Sequence, residues 1–155
     1  IWRQNKVIED NYGWRVGPLV ASDLNMYFHL IARTLDHHKP FNSDLTAHWA
    51  WNRLRRNFPS ALACVLMPNH LHLILEVEDG KEAIRAARVR LGRILGRTVR
   101  KSDKRFGHLW QRTPMPKHLA SREKLMRELR YVHLNPCRAQ LCKDPLEWRW
   151  SSYRD

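Results

Sequence analysis

The chain has 155 residues, 43% of them hydrophobic, and this length and composition predict one globular domain rather than a disordered chain. Its 28 Lys and Arg outnumber 15 Asp and Glu, giving a formal charge of +13, which is typical of proteins with a nucleic-acid partner. No apolar run is long enough to cross a membrane, and no secretory signal is evident. Three cysteines without a Cys-x-x-Cys pair argue against a disulfide framework or a Cys-based zinc site and favour a reducing cytoplasm.

The first 24 residues mix charged and aromatic side chains with glycines and a proline. They predict an irregular N-terminal arm, residues 1–24, in front of a single domain, residues 25–155. Alternating apolar and polar side chains predict a strand from Asn25 to Thr34. Apolar residues at helical spacing then predict a helix that ends before Pro59, and the continuously apolar run Ala61–Met67 predicts a central strand.

The next segment, Met67–Val77, contains two histidines separated by one residue. Because successive side chains of a strand point to opposite faces, its leucines would share one face and His70 and His72 the other. The two residues of strand rise place the imidazoles roughly 7 Å apart at their backbones, close enough to bind one divalent metal. A His-x-His pair taken alone is more often a half-buried polar edge of a strand than a metal site.

Helical periodicity returns from Lys81 to about Lys101, where an apolar stripe lies opposite a basic one. The basic stripe contains almost no Asp or Glu, which favours phosphate contacts over an ordinary solvated face. Its candidate DNA-binding residues are Arg93, Arg97, Arg100 and Lys101.

Pro114 and Pro116 restrict the segment Leu109–Leu119 to an edge strand or an extended connection. Ser121 then caps a last helix, which Pro136 ends or bends. This order of elements predicts an α+β fold with a ferredoxin-like split β-α-β antiparallel sheet. Both crossover helices would cover the leucine face, so that the histidine face stays open for the additional C-terminal helix.

Tyr131 lies on the polar side of that last helix, and Asn135 follows one turn later. Three motifs occur in order along the chain: Met67-Pro-Asn-His-Leu-His-Leu, Tyr131-Val-His-Leu-Asn-Pro-Cys-Arg-Ala and Trp150-Ser-Ser-Tyr. Together they resemble the motifs of the single-tyrosine transposases, and of their REP-associated branch in particular. The resemblance runs from about Tyr27 to Tyr153 and makes the last helix the expected catalytic helix.

The resemblance implies a role for each matching residue. His70 and His72 match the family's metal ligands, Asn135 an amide that completes the metal shell, and Tyr131 the nucleophile. Mg²⁺ or Mn²⁺ is the implied cofactor. Single-stranded hairpin DNA is the implied substrate, cleaved near REP-like sequences through a 5′-phosphotyrosine intermediate. A monomer is expected rather than a dimer that exchanges helices, in a bacterial cytoplasm and associated with the nucleoid.

Several alternatives remain open beside this interpretation. Further candidate phosphate contacts are Arg33, Arg112, Lys117 and Arg127. Tyr153 is the alternative nucleophile, and the alternative metal ligands are His108, His118 and His133. Two other functions also fit the chain: a non-catalytic hairpin-binding protein on the same scaffold, and a metal-dependent phosphodiesterase that uses water.

Overall fold

The computed structural model describes residues 8–9, 15–16, 26–35, 38–78, 80–103, 109–111 and 115–154. Within the predicted N-terminal arm, two short strands, β1 (Ile8–Glu9) and β2 (Arg15–Val16), pair antiparallel. The arm therefore contains an extended pair. The rest of residues 1–24 lies outside the described residues, and the domain boundary at residue 25 stays a prediction.

The body of the protein is a four-stranded antiparallel sheet. Its strands are β3 (Met26–Arg33), β4 (Ala61–Met67), β5 (His70–Val77) and β6 (Lys117–His118), in the order β4-β5-β3-β6. Since β3 and β4 are both antiparallel to β5, they run parallel to each other with β5 inserted between them. This is the split β-α-β arrangement, and the predicted ferredoxin-like α+β fold is confirmed.

Three helices connect and cover the sheet: α1 (Asp44–Asn57), α2 (Gly80–Asp103) and α3 (Arg122–Arg138). The Ser43 and Ser121 side chains cap α1 and α3 by accepting hydrogen bonds from backbone N–H groups three residues later. Pro136 lies inside α3, which continues for two residues beyond it and ends where Gln140 adopts a left-handed backbone conformation (φ 57°). None of the helices in the described ranges has the length and apolarity needed to span a bilayer.

Two apolar clusters lie on opposite faces of the sheet. On one face, Leu71 and Leu73 pack with buried residues of α1 and α2. On the other face, Ile74 packs with Leu125 and Leu129 of α3. The predicted separation of a leucine face from a histidine face is confirmed, and each fully buried leucine contributes roughly 1.5–3 kcal/mol of burial free energy.

Both edges of the sheet carry short irregular pairings. In the segment Leu109–Leu119, predicted as an edge strand or an extended connection, the described residues form β6, which pairs with Phe28 and His29, and a bridge between Trp110 and Thr34. At the opposite edge, the C-terminal segment, residues 148–154, lies along β4. The N–H of Leu66 donates to the Trp150 carbonyl (2.9 Å), and Nε1 of Trp148 donates to the Leu66 carbonyl (3.0 Å).

Candidate active site

The pairing of β3 with β5 places three histidines on the sheet face that α3 covers. His70 and His72 lie two residues apart on β5, with ring centroids 4.9 Å apart. His29 of β3 stands opposite Ile74, and its ring centroid lies 5.1 Å from that of His72. His72 and His29 are buried, whereas His70 is half-buried at the start of its strand.

Helix α3 brings three polar side chains to these histidines at helical spacing: Glu128, Tyr131 and Asn135. The Tyr131 ring meets the His72 ring edge-on, with centroids 5.7 Å apart, and remains 37% exposed. The Asn135 side chain lies close enough to His70 to act on its pKa, which it raises against the effect of burial. The structure thus brings together the four residues that the motifs single out.

An open groove of about 640 Å³ runs beside Tyr131. Its lining includes Ile31 and, as charged residues, Lys117, Glu128, Arg127, Arg130 and Arg138. Glu128 is the one acidic residue among the described residues that line the groove, so the groove is basic. The guanidinium of Arg138 lies 5.5 Å from the centre of the Tyr131 ring. A polyanion can therefore approach the Tyr131 hydroxyl along the positively charged side chains of the groove.

The environment of the two strand histidines favours their neutral forms. Burial lowers the pKa of His72 to about 2, and the nearby His29, His70 and Arg33 act in the same direction. Burial also lowers the pKa of His70 to about 4, with the Arg33 charge again acting in the same direction. Both imidazoles are therefore neutral at pH 7, which is the form that binds metals.

A chain of hydrogen bonds connects Lys117, at the surface, with the buried His72. Lys117 Nζ donates to Glu128 Oε2 (2.6 Å), Glu128 Oε1 contacts His29 Nδ1 (2.7 Å), and His29 Nε2 contacts His72 Nδ1 (2.9 Å). Burial lowers the pKa of His29 despite the neighbouring carboxylate. Burial opposes ionisation of Glu128, but its hydrogen bonds from Lys117 and His29 hold its pKa below the ordinary value.

The sequence interpretation assigns no role to His29 or Glu128. The available signals are the position of His29 on the Arg33 face of its strand and the place of Glu128 three residues before Tyr131. Neither signal predicts a contact, because the contact depends on the strand register and on where α3 packs. Lys117, predicted to contact phosphate, is the exposed end of this chain of hydrogen bonds.

The predicted ligand set can be tested against the atoms that face the site. His72 Nε2 is buried and, within the described residues, has no hydrogen-bond partner. His70 Nδ1 contacts Asn69 Oδ1 (2.7 Å), which leaves Nε2 as the nitrogen able to bind a metal. No group of three or more His, Cys, Asp or Glu in the described ranges is arranged to hold a metal. The donors available are two imidazoles and the Asn135 amide, and an orphaned buried imidazole nitrogen fits a bound cation.

The predicted DNA-binding residues fall on two faces of the protein. Arg127 and Lys117 line the groove beside Tyr131, and Arg33 is exposed opposite His70. On the other face of the sheet, a groove of about 730 Å³ between α1 and α2 is lined by Arg53, Arg85, Arg90, Arg93 and Arg97. Arg100 and Lys101 are exposed near the end of α2, and Arg112 lies outside the described residues.

The alternative site residues that the structure describes make other contacts. The Tyr153 ring packs against His133, with centroids 5.3 Å apart, and His133 Nε2 contacts Ser152 Oγ (3.3 Å). The ring of His118 packs against Phe28, with centroids 5.0 Å apart. His108 lies outside the described residues.

Comparison with known proteins finds similarity at the level of structure only. No family model and no curated protein matches the chain. A REP-associated tyrosine transposase, solved bound to a REP hairpin, superposes with a TM-score of 0.64 over 83% of this chain and 77% of that one, at 15% identity. A Deinococcus radiodurans protein, provisionally described as a transposase, gives a TM-score of 0.48 at 17% identity over 83% and 97% of the two chains. The first comparison confirms the expected resemblance for the fold.

Proposed function

We propose that this chain is a REP-associated type of tyrosine transposase. It would be a metal-dependent endonuclease and strand transferase that cleaves single-stranded DNA beside a hairpin. The observation that carries the proposal is the position of Tyr131, whose half-exposed ring lies 5.7 Å from His72 at the mouth of a basic groove. The fold shared with a transposase bound to a REP hairpin supports the choice of hairpin DNA as substrate.

In the proposed reaction, the Tyr131 hydroxyl attacks the scissile phosphorus. The new bond joins Oη to phosphorus, and the bond to the 3′ oxygen breaks. The phenol proton passes to water in the open groove, and the leaving 3′ oxygen takes a proton from water. The products are a 5′-phosphotyrosine and a free 3′-hydroxyl. The 3′-hydroxyl of another strand can reverse the step, because the covalent intermediate conserves the energy of the phosphodiester.

The side chains around the phenol have separate tasks in this proposal. His70, His72 and Asn135 would hold Mg²⁺ or Mn²⁺, which when bound supplies Lewis-acid polarisation of the scissile phosphate. Arg127 and Arg138 would hold the DNA backbone beside Tyr131 and offset the charge that develops on the phosphate.

We propose a second set of phosphate contacts in the groove between α1 and α2. Three exposed arginines, Arg90, Arg93 and Arg97, line it, and one acid, Glu82, accompanies them. This groove lies on the face of the sheet opposite Tyr131, so it would contact a different part of the DNA, such as the duplex stem of the hairpin. Such contacts position DNA without reading its sequence.

The test is adduct formation on a single strand labelled at its 3′ end. The strand carries a hairpin from the repeats that flank the protein's own gene, and Mn²⁺ is added. The wild-type protein should convert the label to a slowly migrating species on a denaturing gel. Tyr131→Phe should give none, whereas Tyr153→Phe, the matched control at the alternative nucleophile, should give the wild-type amount.

Each other result of this experiment contradicts a stated part of the proposal. An adduct that persists in Tyr131→Phe would show that another residue is the nucleophile. Cleaved DNA without any adduct would indicate a phosphodiesterase that uses water. Hairpin binding that Mn²⁺ never converts to cleavage would indicate a non-catalytic hairpin-binding protein.

A further inference from the structure

The hydrogen bonds behind His72 run in one direction only. An ionised carboxylate has no proton to donate, so Glu128 can only accept, and Lys117 can only donate to it. The Glu128 contact of 2.7 Å therefore requires the proton of His29 to be on Nδ1. In a neutral imidazole the other nitrogen is then an acceptor, so His29 Nε2 must accept from His72 Nδ1 across 2.9 Å.

This direction determines the tautomer of His72. With its proton on Nδ1, His72 presents a lone pair at Nε2, the buried atom that lacks a hydrogen-bond partner among the described residues. If the chain of hydrogen bonds ran the other way, Nε2 would carry a buried proton with no acceptor, which is costly, and it would have no lone pair for a cation. Only the first arrangement can be satisfied by a bound metal ion.

We propose that Lys117, Glu128 and His29 form a positioning relay that holds His72 as the Nδ1–H tautomer and so prepares Nε2 to bind a divalent cation. The relay joins β6, α3 and β3 to the metal-binding strand β5. The inference rests on the proposed function only in taking His72 as a metal ligand. It also gives Lys117 a task beyond phosphate contact.

The relay makes His29 unsuitable as the base that activates Tyr131. The ring centroids of the two residues are 6.5 Å apart, but both nitrogens of His29 are engaged, one by Glu128 and one by His72. His29 is therefore a positioning residue, which acts on the reaction through His72. Partners of this kind behind a metal-binding histidine typically change metal affinity about 10- to 100-fold when they are removed.

The substitution Glu128→Gln should reverse the relay. Lys117 needs an acceptor, so the amide oxygen of Gln would face it and the amide NH₂ would face His29. His29 Nδ1 would then have to accept, its proton would move to Nε2, and His72 would be forced into the Nε2–H form. Adding Lys117→Ala in the same chain frees the amide to turn its oxygen back to His29 and should restore the first tautomer. Lys117 is 60% exposed in its side chain, so its loss leaves the fold intact.

Two measurements on the full chain test the relay without DNA. Long-range ¹H–¹⁵N spectra of the imidazoles report which nitrogen of His72 is protonated, and titration with Mn²⁺ alone reports affinity. We expect Nδ1–H in the wild type, Nε2–H and an about 10- to 100-fold loss of Mn²⁺ affinity in Glu128→Gln, and recovery of both in the double variant. Glu123→Gln, the same change at an exposed position of α3, should behave as wild type.

An Nε2–H signal for His72 in the wild-type protein would overturn the relay without recourse to any variant. An unchanged His72 tautomer and an unchanged Mn²⁺ affinity in Glu128→Gln would overturn the relay as well. If that variant changed only in its urea midpoint, the Glu128 carboxylate would contribute to stability and not to metal binding. The relay and the proposed function fail separately. A protein with the expected tautomers and Mn²⁺ affinity that forms no adduct refutes the function, whereas adduct formation at unchanged Mn²⁺ demand in Glu128→Gln refutes the relay.

Discussion

Replacement of Leu125 by alanine should be one of the most destabilising single changes in the protein. Leu125 is 0% exposed and belongs to the apolar cluster that fixes α3 to the sheet beside Ile74. Truncating a fully buried leucine costs about 2–5 kcal/mol, because the transfer free energy of the deleted groups is joined by the cost of the cavity. We expect about 3 kcal/mol, a large part of the roughly 5–15 kcal/mol by which such domains are stable.

Urea unfolding measures this loss directly. With a slope of about 2 kcal/mol per molar urea, a loss of about 3 kcal/mol lowers the midpoint by about 1.5 M. Leu146→Ala is the control, since that leucine is 54% exposed and its truncation should change the unfolding free energy by less than about 0.5 kcal/mol. The midpoint of the wild type should not depend on protein concentration, because α3 packs on the sheet of its own chain and we expect a monomer.

A loss below about 1 kcal/mol in Leu125→Ala would refute this reasoning, because removal of a fully buried leucine side chain costs at least about twice as much. A wild-type midpoint that rises with protein concentration would refute the monomer. It would indicate that the folded chains associate, and an exchange of α3, in which the Tyr131 of one chain serves the histidines of another, would then need a separate test.

Two further predictions concern charge. Replacing the three arginines of the α1–α2 groove, Arg90, Arg93 and Arg97, by alanine should weaken hairpin binding. The slope of log affinity against log salt should fall by about 0.9 for each phosphate that is no longer neutralised, with Lys39→Ala as control. Burial lowers the pKa of His133 to about 4, below the value of about 6.5 for an unfolded histidine, so the folded chain binds fewer protons and loses stability as the pH falls below about 6.5. His133 should account for a decrease of about 2 kcal/mol in the free energy of unfolding between about pH 7 and pH 5. Urea unfolding of His133→Asn at both pH values should lack this decrease.

Local periodicity accounts for the parts of the fold that the sequence predicts well. The alternation from Asn25 to Thr34 corresponds to β3, and the helical stripe from Lys81 to about Lys101 corresponds to α2. Both elements repeat their pattern often enough to exclude the other period. The segment Leu109–Leu119, predicted as an edge strand or an extended connection, contributes the edge strand β6 from its described residues, although its two prolines leave no periodic pattern that would give the bounds of that strand.

In the candidate site, too, local spacing predicts some relations between residues and not others. His70 and His72 share a face by the geometry of one strand, and Tyr131 and Asn135 share a side by the geometry of one helix, so both pairs follow from local spacing. The contact between the pairs, and the part played by His29, depend on the register of β3 against β5 and on the packing of α3. Those are long-range relations that no local pattern encodes.

The C-terminal segment along β4 has a consequence for the solubility of the protein. Among the described strands, β4 lies at one edge of the sheet. Its outer edge is engaged by Trp148, Trp150 and Ser152, and the hydroxyl of Ser152 accepts from the Cys64 N–H at 2.9 Å. A strand without such a cover presents a row of unpaired amides to any extended peptide, including the same strand of another molecule. The C-terminal segment, remote from Tyr131, thus protects the sheet from aggregation. A chain truncated before Trp148 would expose the backbone amides of β4 to pairing with other molecules.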